Sequence, residues 1–343
     1  MISRRHIRIK VMQALYSFFQ GEDKTLIQVE NELKESIEKA YDSYLLLFLL
    51  VSELAEISRI YAEDKPEKYI KVIMSHKANT RFYDNIYVQK ILNDTTIQTI
   101  VKQRKLTWQK ENDVLKKLFN DIKESSIYST YTWSTNNLFE EDNKFIIDIL
   151  KEIVFKSDLF LDIMEEKSLY WTDDKKLVLS NFIKTVKTET QFSEQINIFP
   201  KFRDIEDKQF MLELLRKTII NDKDFEKRIS KKTVNWDLER IALIDVILMK
   251  MALAEMISFP DIPEKVTINE FLEIAKEYST ENSHNFINGI IDNIRMDMEH
   301  DGLIAKTGKG LLYTDKPSHQ DMSLPNEDKP EKIKRKKKEL NKE

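Results

Sequence analysis

The chain has no cysteine, which excludes disulfides and thiolate metal sites and suits a reducing compartment. Glycine occurs five times and proline seven times in 343 residues. So few chain breakers argue against a turn-rich β fold and for long helices joined by short connections. No glycine-rich phosphate loop and no nucleophile elbow occurs. The histidines, His6, His76, His284, His300 and His319, have no ligand spacing, and His284 alone makes no metal site. The longest apolar run, residues 44–51, falls far short of the roughly 20 residues a membrane span needs. No apolar signal core follows the charged first residues. Carboxylates are plentiful but fall on helix surfaces, where solvation is the default. The expectation is a soluble, cytoplasmic protein that is not an enzyme and uses no cofactor or metal.

What is present is enough apolar material for a core, 41% of residues, beside 33% charged residues. The net charge of −4 hides an uneven distribution. Residues 1–12 carry Arg4, Arg5, Arg8 and Lys10 with no acidic residue, and Lys334, Arg335, Lys336, Lys337 and Lys338 form a basic run near the other end. Charge position therefore points to an anionic partner where total charge does not.

Helical grammar is clear in several stretches. Ser3 is an N-cap for a first helix that stops at Gly21, with Ile7, Val11, Ala14, Leu15 and Phe18 as its apolar stripe. Further helical patterns cover residues 27–58 and 111–123. A repeat of period 65 relates Asp142, Phe145, Leu150 and Trp171 to Asp207, Phe210, Leu215 and Trp236, and pairs Phe160 with Phe225 and Ile183 with Leu248. This reads as a duplicated helical unit, residues 142–187 resembling 207–252; chance matching of common apolar residues is the alternative. A helix is expected over 236–256, broken by Pro260 and Pro263. Thr267 and Glu270 read as a capping box opening the next helix, which runs through Glu277. A last helix spans about Ser283 to His300 and ends near Gly302. Residues 303–343 lose periodicity and read as a disordered basic tail.

Two constellations stand out. Arg4, Arg5 and Arg8 fall in the first two turns of a helix, where the dipole disfavours cations by a few tenths of a kcal/mol each, roughly. Three such choices invite compensating anions. A phosphate backbone supplies them, and a solvated basic end is the alternative. The second is Ser283-His284-Asn285-Phe286-Ile287-Asn288-Gly289. Gly289 is the one glycine inside a predicted helix, and it implies close backbone approach, with tight helix packing the favoured reason. Phe286 is either a core residue or a face for an unpaired base. The basic tail either adds affinity for RNA or only solubilises.

Taken together, these residues carry a family resemblance. Arg4-Arg5-His6-Ile7-Arg8 followed by Gln13-Ala14-Leu15-Tyr16-Ser17 resembles the amino-terminal helix of the NusB family. Thr267-Ile268-Asn269-Glu270, Ile274-Ala275-Lys276 and Ser283-His284 with Phe286-Ile287-Asn288-Gly289 resemble its C-terminal signature. Glu239-Arg240 and Ala252-Leu253 with Glu255 fit the helix before it. The resemblance covers residues 1–21 and about 205–302 as a core, with 22–204 as a large helical insertion. It implies an all-α, NusB-like helical bundle enlarged by an inserted helical region. It also implies a transcription antitermination factor that pairs with NusE, a small-subunit ribosomal protein, to bind boxA-like single-stranded RNA. Other Nus factors and RNA polymerase complete the implied assembly, and no membrane is involved. By position, Arg4, Arg5 and Arg8 would contact RNA, with Ser283, His284 and Phe286 on the same surface. Tyr16 and Glu255 are the implied partner contacts. Departures are His6, Asn285 and Lys250, where the family often has arginine, lysine and arginine. The alternative functions are a protein-interaction scaffold in ribosome assembly and an RNA-methyltransferase-associated module.

Overall fold

The computed structural model describes residues 2–21, 23–63, 80–134, 138–233 and 241–312. Trp236, Glu239, Arg240, His76, His319 and the run from Lys334 to Lys338 lie outside them. Among the described residues the regular structure is helical, in fourteen α-helices. They are α1 (Arg4–Gln20), α2 (Leu26–Glu63), α3 (Ile86–Asn93), α4 (Thr95–Arg104), α5 (Asn112–Glu124), α6 (Ser126–Trp133), α7 (Phe139–Glu152), α8 (Asp158–Lys167) and α9 (Trp171–Thr188), then α10 (Ile205–Ile220), α11 (Asp222–Lys232), α12 (Leu243–Ser258), α13 (Glu264–Tyr278) and α14 (Ser283–His300).

The helix ends follow local chemistry. The Ser3 hydroxyl accepts from the His6 N–H, and the Gly21 N–H closes α1 on the Ser17 carbonyl. Asn85, Asp94, Ser125 and Asp204 cap α3, α4, α6 and α10 in the same way, each satisfying donors the first turn leaves open. The expected capping box at Thr267 and Glu270 is not formed. α13 begins at Glu264, directly after Pro263, so both residues are already helical and their side chains reach other helices instead.

Apolar side chains gather into two cores. One is built from α1, the first part of α2 and α10 to α14, around Ile7, Leu15, Leu33, Leu214, Leu248 and Phe271. The other takes the rest of α2 together with α3 to α9, around Phe48, Leu54, Trp108, Phe145, Phe160 and Trp171. α2 has 38 residues, about 57 Å of helix, and contributes Val29, Leu33 and Ile37 to the first core and Tyr44, Phe48 and Val51 to the second. α9 spans the same boundary, with Leu177 in the first core and Val178 and Phe182 in the second.

The stretches related by the 65-residue period have the same order of elements. α7 and α8 stand in the second core with most of α9, whose Leu177 alone joins the first, and α10, α11 and α12 stand in the first. Phe160 and Phe225 are both buried, and Trp171 opens α9 fully buried. The two acidic members differ in use. Asp142 accepts from the Tyr131 hydroxyl and the Ile86 N–H, whereas Asp207 accepts from Arg4.

Residues 303–312, expected to be the start of a structureless tail, are docked. Gly302 turns the chain with φ +67°. The Lys306 ammonium then donates to the carbonyls of Met256 and Phe259 at the end of α12. A cation placed on the last carbonyls of a helix satisfies orphan acceptors and the negative end of its dipole. Periodicity could not announce this contact, because one lysine and three glycines make it.

Candidate nucleic-acid interface

The arginines of α1 each meet a carboxylate from a different helix. The Arg4 Nε donates to Asp207 Oδ1 on α10 at 2.9 Å. Arg5 makes a two-pronged contact with Glu270 on α13, 2.9 and 2.7 Å. Arg8 makes another with Glu255 on α12, both bonds 2.7 Å. The compensating anions that three cations in the first two helical turns call for thus come from the fold itself. Glu270 has its pKa held below the ordinary carboxylate range, first by the hydrogen bond from Arg5.

These contacts sort the arginines by exposure. The side chains of Arg4 and Arg5 remain 42% and 45% exposed, against 3% for Arg8. Arg4 spends only Nε on Asp207 and rests over the Phe210 ring, 5.3 Å from its centroid. Among the described residues its outer nitrogens have no further bond, and neither does one of Arg5. Arg8 lies beneath them between the rings of Phe210 and Phe271. Its partner Glu255 is fully buried and also accepts from the Thr267 hydroxyl at 2.8 Å. Glu255, a candidate partner contact on sequence grounds, therefore offers no surface to a partner. Tyr16, the other candidate, is 41% exposed on the second half of α1.

His6, next to Arg5 on α1, feels the charges of Glu277 and Glu270 on α13. Its Nδ1 lies 2.6 Å from the Ser3 hydroxyl oxygen. Burial pushes its pKa below the ordinary value, opposed by Glu277. Beside Arg5 the surface is mixed, because Glu273 and Glu277 also raise the Arg5 pKa after the hydrogen bond to Glu270.

The second group begins α14. Ser283 is buried and donates to Asp245 Oδ2 at 2.7 Å. Ser279 donates to the other oxygen of that carboxylate, so the start of α12 is tied to the junction of α13 and α14. Ser283 thus orients the segment rather than presenting its hydroxyl outward. His284 is half-buried, with Nδ1 3.0 Å from the Glu281 carbonyl. Phe286 is half-buried on the first core. Gly289 overturns the packing expectation: it is exposed, and a Cβ added there would meet nothing within 4 Å. The close approach that this glycine allows is on the outside of the molecule.

Lys10 and Gln13, one turn further along α1, are taken by the second core. Lys10 is buried against Asp174 at 2.7 Å, and the Gln13 amide donates to Asp173. Sequence reading offered no sign of this, because the partners are about 160 residues apart. Among the described residues no group of acidic and histidine side chains is arranged to hold a metal ion, and no helix is long and apolar enough to cross a membrane.

Comparison with known proteins matches residues 178–296 to the NusB family model. The chain is similar to proteins named transcription antitermination protein NusB in three organisms. That of Chloroherpeton thalassium is 43% identical over 109 residues, 32% of this chain and 52% of that protein. That of Salinibacter ruber is 40% identical over 116 residues, 34% of this chain and 72% of that protein. That of Geotalea daltonii is 40% identical over 85 residues, 25% and 59%. The chain thus spans between about half and three quarters of the length of these three relatives. No solved structure matches it.

Proposed function

The chain belongs to the NusB family, and from that premise we propose that it is an RNA-binding transcription antitermination factor. It binds boxA-like single-stranded RNA together with NusE, and through them joins other Nus factors on RNA polymerase. What carries the reading is the pair of half-exposed guanidiniums at the start of α1, Arg4 and Arg5, with donors still open. A guanidinium offers five N–H donors in a planar fork suited to phosphate oxygens. Arg8 has a different part: buried on Glu255, it sets the position of α1 and thereby of the two arginines above it. On α14, Phe286 and His284 offer a ring edge or face to an unpaired base, Ser283 orients them, and exposed Gly289 leaves room for close approach. Tyr16 extends this surface along α1 toward NusE.

Two phosphate contacts predict a modest salt dependence. At about −0.7 per single-strand contact the slope of log affinity on log salt is about −1.4, so a fourfold salt rise weakens binding roughly sevenfold. The experiment is a gel shift of the full chain, with and without NusE, against boxA and scrambled RNA. Preference for boxA, reduced in an Arg4→Ala/Arg5→Ala variant, supports the reading. Equal binding of both RNAs by the NusE complex would favour a scaffold in ribosome assembly. Absence of RNA binding in both settings would remove the proposal.

A further inference from the structure

Between the start of α1 and the turn leading into α13 lies a groove of about 650 Å³, within the roughly 300–1,000 Å³ typical of small-ligand sites. Its lining includes Arg4 and Arg5 from α1 and Ile262, Pro263 and Val266 from the turn and the start of α13. The docked segment 303–312 contributes Lys309 and Leu312 to the same lining.

That segment is held in place by backbone contacts of unusual closeness. The Thr307 N–H donates to the Pro260 carbonyl at 3.1 Å, and the Thr307 hydroxyl reaches Asp261. A Cβ at Gly310 would fall 1.9 Å from the same Pro260 oxygen, so only glycine lets the strap lie this near. Gly308 takes φ +50°, a left-handed value that glycine adopts at little cost. These contacts, with Lys306 on the end of α12, fix where Lys309 stands.

The charges facing the groove are unequally committed. Glu270 is held by Arg5 and Arg8, and Asp261 accepts from Thr307. Lys309 is exposed and forms no ion pair among the described residues. The groove therefore brings an available ammonium together with two half-exposed guanidiniums and several apolar side chains. That combination fits one nucleotide of a single strand, with its phosphate among the cations and its base on the proline, valine and leucine side chains.

We propose that the 303–312 strap turns the arginine face of α1 into a pocket for a single nucleotide, with Lys309 on its phosphate. This rests on the RNA-binding reading above and adds to it a subsite, the residues forming it, and a role for a segment beyond the last helix. Lys309 supplies a third phosphate contact beside those of Arg4 and Arg5, which steepens the expected salt slope from about −1.4 to about −2.1, and its loss returns the slope to about −1.4.

The test uses the full chain, boxA RNA carrying 4-thiouridine, and three variants. Lys309→Glu removes and reverses the charge at an exposed site. Gly310→Ala leaves the charge but drives a methyl group into the Pro260 carbonyl, displacing the strap. Lys151→Glu, on α7 in the other core, controls for net charge. The expected result is photocross-linking to peptides within 303–312, a five- to tenfold loss of affinity in Lys309→Glu with a shallower salt slope, a similar loss in Gly310→Ala, and no change in Lys151→Glu. Wild-type binding of boxA with unchanged affinity in both strap variants, and no cross-link to the strap, overturns the pocket while leaving the RNA reading intact. No RNA binding by the wild-type chain, alone or with NusE, overturns both.

Discussion

Arg8 and Glu255 form a planar two-bond ion pair with both side chains out of solvent, 247 residues apart in sequence. The pair joins α1 to α12, and Thr267 on α13 completes it by donating to the same carboxylate. A buried charge is tolerated only when paired and hydrogen-bonded, and removing one partner typically costs about 3–5 kcal/mol. Arg8→Ala should therefore lower stability by roughly that amount in urea unfolding, far more than Arg4→Ala or Arg5→Ala, whose groups are half in water. In RNA binding the order should reverse once the proteins are compared under conditions where each is folded. An Arg8→Ala protein of normal stability would contradict the anchoring role.

Lys10 and Asp174 make the corresponding joint between the two cores. Burial pushes the Asp174 pKa up, and Lys10 acts against that shift. Each single change, Lys10→Met or Asp174→Leu, should destabilise by a few kcal/mol, because an unpaired charge remains in a buried place. The double change should recover much of the loss, since well-packed apolar groups can replace a buried ion pair. A double-mutant cycle in chemical unfolding measures this, and simple additivity of the two single costs would mean the groups do not act as a pair.

Gly289 gives a prediction with two signs. Nothing stands within 4 Å of where its Cβ would be, so Gly289→Ala should raise stability by about 1 kcal/mol through helix propensity alone. If α14 presents this face to RNA or NusE, the same change should weaken complex formation. Thermal melting and gel shift on one variant read both effects. A fall in melting temperature would show that the glycine serves packing after all.

His6 predicts a pH effect in a defined window. Its folded pKa lies below the ordinary 6.5, chiefly because burial penalises the imidazolium. The unfolded chain then takes up a proton first as pH falls, so this contribution is present above pH 6.5 and is lost below it. Glu270 is also depressed, by Arg5, but its contribution is lost only as pH falls below the ordinary carboxylate value of about 4.3. Stability measured between pH 7 and 5.5 should decline in the wild-type chain and be flatter in His6→Gln. Identical slopes in the two proteins would assign the decline to other groups.

Local chemistry made some of this readable from the chain. α1 between Ser3 and Gly21, α14 from Ser283 to His300, and the all-helical class all follow from caps, breakers and the 3.6-residue spacing of apolar positions. These depend on neighbours within a few residues. The same locality misled at Thr267 and Glu270, where the spacing of a capping box was met but both side chains serve other helices. It misled again at Gly289, where scarcity of glycine suggested a buried crossing.

The sequence alone determined that this chain is helical, where its basic residues cluster, and which family its motifs resemble. Only the tertiary structure decided what the clustered cations do. Arg8 went to Glu255, Lys10 to Asp174, Arg4 to Asp207 and Arg5 to Glu270, partners between 164 and 265 residues away. An isolated arginine-rich helix start lacks neutralising charge, and the fold brings carboxylates from α9, α10, α12 and α13 to supply it. Whether a cation is buried as an anchor or left half-exposed for a phosphate depends on which of those helices covers it, and no spacing within α1 encodes that.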